Sequence, residues 1–268
     1  MPEFETLDSH IEQVQENVGA EVRAVAELTT GARGPSFDPV LPVDDAEMAR
    51  FIDHTLLKAQ STRADVERVC AEAVEYKFAS VCVNSTWTAT VNGLLEGSPV
   101  STCTVAGFPL GAMSDLSKAG EARMAVADGA AEIDMVIAIG RLLGGEYGAV
   151  LDDIAAVVEA SAPATVKVIL ETCYLDDADK IAGCLLSMAA GAGFVKTSTG
   201  FGTGGATAAD VALMRRVVGD ALGVKASGGV HSKDDLLAMV TAGANRIGAS
   251  SSVELMTGTA TGGESGGY

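Results

Sequence analysis

The chain has no run near the roughly 20 uninterrupted apolar residues that a membrane-spanning helix needs. Its start, Met1-Pro2-Glu3-Phe4-Glu5, lacks the basic-then-apolar order of a secretory leader, so a cytoplasmic address is expected. Basic residues are scarce as well: 18 Lys and Arg stand against 36 Asp and Glu, a net charge of −18. Nucleic acids and anionic membrane surfaces reward clustered Lys and Arg, and neither is expected as a partner. The same field repels a phosphorylated ligand, so a phosphate site must be made locally, from backbone amides and a few cations. Both a salt-rich cytoplasm and an ordinary soluble surface account for the acidity. With three histidines (His10, His54, His231) there is no metal cluster to assemble. The five cysteines, Cys70, Cys82, Cys103, Cys173 and Cys184, are odd in number and widely spaced. They form neither a disulfide framework nor a C-x-x-C metal pattern, and buried reduced thiols are expected.

What is present is a chain of 268 residues, 48% hydrophobic, with a mean hydropathy of +0.28. That is enough for one large domain with a sizeable core. In residues 1–46, Leu7, Ile11, Val14, Val18, Val22, Val25 and Leu28 recur at intervals of three and four, which predicts an amphipathic helix. Gly31 to Asp45, with Gly34, Pro35, Pro39 and Pro42, reads as a linker. Packing of this arm on the main domain, on another subunit or on neither remains open at this stage.

From residue 47 to 258 a rhythm sets in. Strands are expected at Phe51–Leu57, Phe78–Val83, Val100–Ala106, Glu132–Ile137, Val166–Glu171, Gly193–Thr197, Gly223–Ser227 and Arg246–Gly248. Ala-rich periodic segments such as Thr62–Tyr76, Asp115–Asp128, Tyr147–Ala160, Asp176–Ala190, Ala208–Ala221 and Ser232–Ala242 lie between them. Eight strands alternating with helices predict a (β/α)8 TIM barrel with an N-terminal helical extension. A doubly wound sheet would carry a G-x-G-x-x-G turn after strand one, and none is present. In a barrel, function gathers at the C-terminal ends of the strands.

Two lysines lie in adjacent strands that ought to be buried: Lys196 in Val195-Lys196-Thr197-Ser198-Thr199-Gly200 and Lys225 in Val224-Lys225-Ala226-Ser227-Gly228-Gly229. Burial and a neighbouring ammonium both lower a lysine pKa, and a partly unprotonated lysine attacks a carbonyl to form an imine. Each lysine also has a plain reading, a structural pair with a carboxylate. Lys167, on strand five, is placed to hold a carboxylate such as Asp134. Side-chain alternation turns Glu132 and Asp134 to one side of strand four, and Asp134 is a candidate proton shuttle. Asp53, on strand one, is a second candidate, in contact with substrate or just behind it, whereas His54 reads equally as a core histidine. The turns Ser227-Gly228-Gly229 and Gly248-Ala249-Ser250-Ser251 offer backbone donors and hydroxyls where barrels bind phosphate.

The string Val195-Lys196-Thr197-Ser198-Thr199-Gly200-Phe201 resembles the Schiff-base signature of the deoxyribose-phosphate aldolases. Lys225-Ala226-Ser227-Gly228-Gly229-Val230 is similar to that family's second-lysine segment. Ile52-Asp53-His54-Thr55-Leu56-Leu57, Glu132-Ile133-Asp134-Met135-Val136 and Lys167-Val168-Ile169-Leu170-Glu171-Thr172 recur in the family's order. The resemblance spans about residues 48–256. It implies reversible cleavage of 2-deoxy-D-ribose 5-phosphate to acetaldehyde and D-glyceraldehyde 3-phosphate, with no metal and no cofactor, because the imine replaces a Lewis acid. Lys196 would form the imine, Lys225 and Asp134 would tune it and handle protons, and Thr199 would position substrate hydroxyls. The backbone at Gly200, Gly228, Gly229 and Gly248, with Ser250 and Ser251, would hold the phosphate; Asp53 would contact substrate. Phe201 and His231 stand where some relatives carry basic side chains. The tail, residues 259–268, ends in Tyr268, which the resemblance implies assists protonation. A dimer or tetramer is compatible with it. A transaldolase or ketose-phosphate aldolase, and a non-catalytic sugar-phosphate-binding barrel, are the competing readings.

Overall fold

The computed structural model describes residues 2–30 and 40–258; residues 31–39 of the expected linker and the tail with Tyr268 lie outside them. The strands β1 (Ile52–Leu56), β2 (Ser80–Val83), β3 (Ser101–Ala106), β4 (Glu132–Val136), β5 (Thr165–Ile169), β6 (Phe194–Lys196), β7 (Gly223–Ser227) and β8 (Arg246–Ala249) form a closed barrel in chain order. Every pairing is parallel, and β8 closes on β1 through Asp53 opposite Gly248. The barrel is the expected one, with strand ends shifted by one or two residues.

Helices α1 (Pro2–Glu21), α2 (Arg23–Ala26) and α3 (Asp45–Ala49) precede β1. Around the barrel run α4 (Arg63–Tyr76), α5 (Thr88–Leu94), α6 (Asp115–Ala127), α7 (Ile139–Leu143), α8 (Tyr147–Ser161), α9 (Asp177–Ala189), α10 (Ala208–Val218), α11 (Lys233–Thr241) and α12 (Ser252–Thr257). Five of them begin where the sequence supplies a cap, whereas α8 starts after Glu146 without one. Thr62 and Asp65 form a capping box on α4, and Ser232 and Asp235 do the same on α11. Ser114, Asp176 and Thr207 cap α6, α9 and α10 through their side chains.

Strand alternation separates two environments. Val81, Val83, Ile133, Met135, Val168, Val195, Val224 and Ile247 face outward into one apolar layer beneath the helices. The inward set is polar. It includes Asp53, Ser80, Glu132, Asp134, Lys167, Lys196 and Lys225, all buried. One small apolar patch also lines the interior: Leu57, Cys82, Cys103 and Val105, with Phe108 packed on them.

The arm packs on this same domain. Ile11, Val14, Val18, Val22 and Val25 are buried, and α1 runs along α9 and the edge of α8. The expected single helix is broken at Val22, which is extended (φ −116°, ψ 93°). Gly19 permits the reversal, since a Cβ there would lie 2.9 Å from that of Ala26. Gln15 Nε2, itself buried, then donates to the carbonyls of Val25 and Leu28 at 3.0 and 2.9 Å. Arg216 holds Asp8 through two bonds of 2.8 and 2.7 Å, and the Gly148 amide donates to Glu21.

Candidate active site

Lys196 closes β6 and lies in register with Lys225 of β7. Between their head groups stands Asp134 of β4. Its Oδ2 accepts from Lys196 Nζ at 2.8 Å and from Lys225 Nζ at 2.7 Å. Its Oδ1 accepts from Lys167 Nζ at 2.8 Å and from Cys103 Sγ at 3.3 Å. Below this carboxylate lies a second tier. Lys225 also donates to Asp53 Oδ2 at 2.5 Å, and Asp53 Oδ1 accepts from Ser80 and from Arg246, both at 2.7 Å. Lys167 reaches Glu132 at 2.6 Å, and Arg246 meets the same carboxylate at 3.1 Å. The Arg246 guanidinium lies 5.5 Å above the Phe194 ring, which crosses the space left by Gly223; a Cβ there would be 2.1 Å from the ring.

Charged groups survive such burial only when paired. Burial by itself would push the Asp134 carboxyl up, but Lys167, Lys196 and Lys225 together hold it well below the ordinary carboxylate range. Asp53 behaves alike: burial opposes its charge, and Lys225, Arg246 and Lys167 prevail. For Lys225, burial pulls the ammonium down while Asp134 and Asp53 lift it above its ordinary 10.5. Lys225 is therefore a fixed cation. Four cations (Lys167, Lys196, Lys225, Arg246) meet three carboxylates (Asp53, Glu132, Asp134).

The structure brings Lys196, Lys225, Asp134 and Lys167 into one contact network. Asp53 joins it from beneath, and here the expectation of substrate contact needs correction. Its carboxylate is fully buried and committed to Lys225, Arg246 and Ser80, so it positions Lys225 and does not face the mouth. The Thr199 hydroxyl is also engaged: it donates to Glu171 in a short bond and accepts from the Phe201 amide at 3.0 Å. It shapes the loop after β6 instead of standing free for a substrate hydroxyl. Gly228 and Gly229 follow one another at φ 77° and 79°, a turn that side-chain-bearing residues rarely adopt. Gly205 and Gly200 press against Gly228, which draws the loops after β6 and β7 together. Ser250 is exposed and Ser251 half-buried beside Gly248. Phe201 lies edge-on to Phe108 with centroids 5.3 Å apart, and His231 is exposed after the double glycine. His54 points outward, bonding Ser252 and Glu72.

Three participants escaped the sequence reading. Arg246 opens β8 and supplies the fourth cation; a charged residue at the start of a short strand was the available signal. Ser198, inside the lysine motif, has a buried hydroxyl with no protein partner, next to Gly228. Glu171 ends the β5 segment in a left-handed conformation (φ 58°, ψ 61°), which is costly for a residue with a side chain. Its carboxyl, raised in pKa by burial, takes both the hydroxyl and the amide of Thr199.

A (β/α)8 barrel with buried lysines and a shared carboxylate at its centre defines a class, the barrel enzymes that work on carbonyls through lysine. The comparisons narrow the class. The profile of the DeoC/LacD family aldolases matches residues 48–265. A deoxyribose-phosphate aldolase of Lysinibacillus sphaericus is 58% identical over 215 residues, 80% of this chain and 96% of its own length. One from Streptococcus suis is 56% identical over 81% of this chain and 99% of its own. The solved structure of a deoxyribose phosphate aldolase from Aeropyrum pernix, described as tetrameric, superposes with a TM-score of 0.76 at 36% identity, covering 81% of this chain and 92% of that one. The chain belongs to the DeoC/LacD family of aldolases. No helix among the described residues is long and apolar enough to cross a membrane.

Proposed function

We propose that this aldolase cleaves 2-deoxy-D-ribose 5-phosphate reversibly to acetaldehyde and D-glyceraldehyde 3-phosphate through an imine on Lys196. The observation that carries the reading is the single Asp134 oxygen shared by Lys196 and Lys225 at 2.8 and 2.7 Å. Neutral Lys196 Nζ attacks C1 of the open-chain sugar, and water leaves to give an iminium. That cation draws the electron pair of the C2–C3 bond as the C3 hydroxyl loses its proton, releasing the three-carbon phosphate and leaving an enamine. Protonation at C2 and hydrolysis release acetaldehyde and restore the amine. When Lys196 gives up its proton, Asp134 Oδ2 loses one of the two positive charges beside it and can accept a proton or orient water. Lys225 remains charged and anchors Asp134. The Gly228-Gly229 turn, the Gly248–Ser251 segment and the unpartnered Ser198 hydroxyl supply neutral donors for the phosphate, which an acidic protein needs more than a charged rim.

Incubation with 2-deoxyribose 5-phosphate and borohydride, followed by mass spectrometry, tests this directly. A reduced adduct mapped to Lys196, and absent from Lys196→Ala, is the expected result. No adduct on the folded protein in the presence of substrate would overturn the imine reading. An adduct with dihydroxyacetone phosphate and none with acetaldehyde would assign a different aldolase donor.

A further inference from the structure

Cys82 and Cys103 are paired residues on the neighbouring strands β2 and β3, and both point into the barrel. Their sulfurs and an Asp134 carboxylate oxygen all lie within 4.8 Å of one another. Cys103 donates to that carboxylate at 3.3 Å and receives Lys167 Nζ at 3.4 Å. The carboxylate is in turn 2.8 Å from Lys196 Nζ. Two thiols therefore stand one carboxylate away from the proposed nucleophile, and the aldol chemistry uses neither. Small apolar residues would fill the same wall without redox reactivity.

We propose that Cys82 and Cys103 form a reversible disulfide under peroxide, and that this bond is an oxidative brake on the aldolase. The Cys82 thiolate attacks one peroxide oxygen, the O–O bond breaks, and hydroxide leaves to become water, giving a sulfenic acid. The Cys103 sulfur then attacks the Cys82 sulfur and displaces hydroxide, which takes the Cys103 proton and departs as a second water. Two thiols and one peroxide yield one disulfide and two waters; each sulfur loses one electron and each peroxide oxygen gains one. Burial keeps Cys103 protonated, and its one S–H proton is given to Asp134, so Cys82 is the sulfur that attacks first. Access is set by the reaction itself, since an aldehyde must reach Lys196, itself buried, and peroxide is smaller. Paired positions on adjacent strands lie within disulfide reach, but the sulfurs must close to roughly 2.05 Å. Closure draws Cys103 off Asp134 and Lys167, and disturbs the carboxylate that both site lysines share. A bond formed under such strain is readily reduced by cellular thiols.

The test treats the full chain with a few equivalents of hydrogen peroxide, then denatures it with an alkylating reagent present. The expected result is a mass lower by about 2 Da, two thiols protected from alkylation, and a peptide joining Cys82 to Cys103. Aldehyde release is expected to fall about tenfold or more, and to recover on dithiothreitol. In Cys103→Ser the cross-linked peptide should be absent, with activity compared to that variant's own untreated form. Five free thiols after treatment, a cross-link between other cysteines, or a Cys82–Cys103 bond with undiminished activity each overturns the proposal. Should Cys103→Ser fail to fold, the peptide map of the unaltered chain decides alone. Only the activity readout rests on the aldolase reading; mass and alkylation report on the thiols whether or not Lys196 carries the chemistry.

Discussion

On the outer face of β4, Ile133 and Met135 lie in an apolar layer beneath the helices, while on the inner face of the same strand Glu132 and Asp134 are gripped by Lys167, Lys196, Lys225 and Arg246. Both faces are equally dry. The outer one is held by burial of apolar area, which has no direction and scales with size. The inner one is held by paired charges whose benefit depends on geometry, since an unpartnered charge in that setting is costly. The shell can therefore absorb conservative repacking, whereas each member of the interior network depends on its neighbours. The interior adds little net stability compared with well-packed hydrophobes; what it supplies is a preset electrostatic environment for one lysine.

Substitutions sharpen this contrast. Lys196→Ala should reduce kcat at least about a thousandfold while far-UV circular dichroism stays native. A variant with more than a tenth of the parent turnover would remove Lys196 from the mechanism. Asp134→Asn takes away the charge that three ammoniums share. A loss of about 3–5 kcal/mol in denaturant unfolding is expected, together with impaired turnover. Loss of activity at full stability would make Asp134 a reacting group without the structural part described above.

The pH dependence of stability should carry the interior's signature on both sides. Asp134 and Asp53 are held below their ordinary 3.8, so their contribution is complete above about pH 4 and lost as pH falls beneath it. Lys225, held above its ordinary 10.5, contributes fully below that pH and loses its contribution as pH rises beyond it. The urea midpoint of the parent should fall on both limbs, and the acid limb should flatten in Asp134→Asn. Identical acid limbs in the two proteins would place the acid sensitivity elsewhere. The smallest effect belongs to the shell: Ile133→Val should cost about 0.5–1.5 kcal/mol, with kcat and KM per folded molecule unchanged. A marked change in KM would mean that the two faces are coupled.

The alternation of strand and helix signals made the barrel legible, because each strand is short, bounded by turns and followed by a helix, with a side-chain cap on α4, α6, α9, α10 and α11. The lysine motifs were legible for a related reason: a charged residue inside a buried strand stands out against its apolar neighbours. For Asp53 the residues left two places, against substrate or just behind it, because period-two alternation reports which face a residue takes but not its height along the barrel axis. Glu171 was passed over since nothing in a side-chain pattern announces a left-handed backbone. The arm's reversal depends on Gly19 fitting against Ala26, a contact within one supersecondary unit that periodicity along a single helix cannot foresee.

The sequence by itself determined the order of elements, the inward set of lysines and acids, and the family, all of which follow from local periodicity and short motifs. Tertiary structure alone decided which charge meets which. Lys225 and Asp53 are 172 residues apart, and Arg246 and Asp53 are 193 apart. Closure of β8 on β1 makes them neighbours, and the register of parallel strands sets their heights. Such contacts depend on how the whole barrel closes, and no local stretch of chain encodes that.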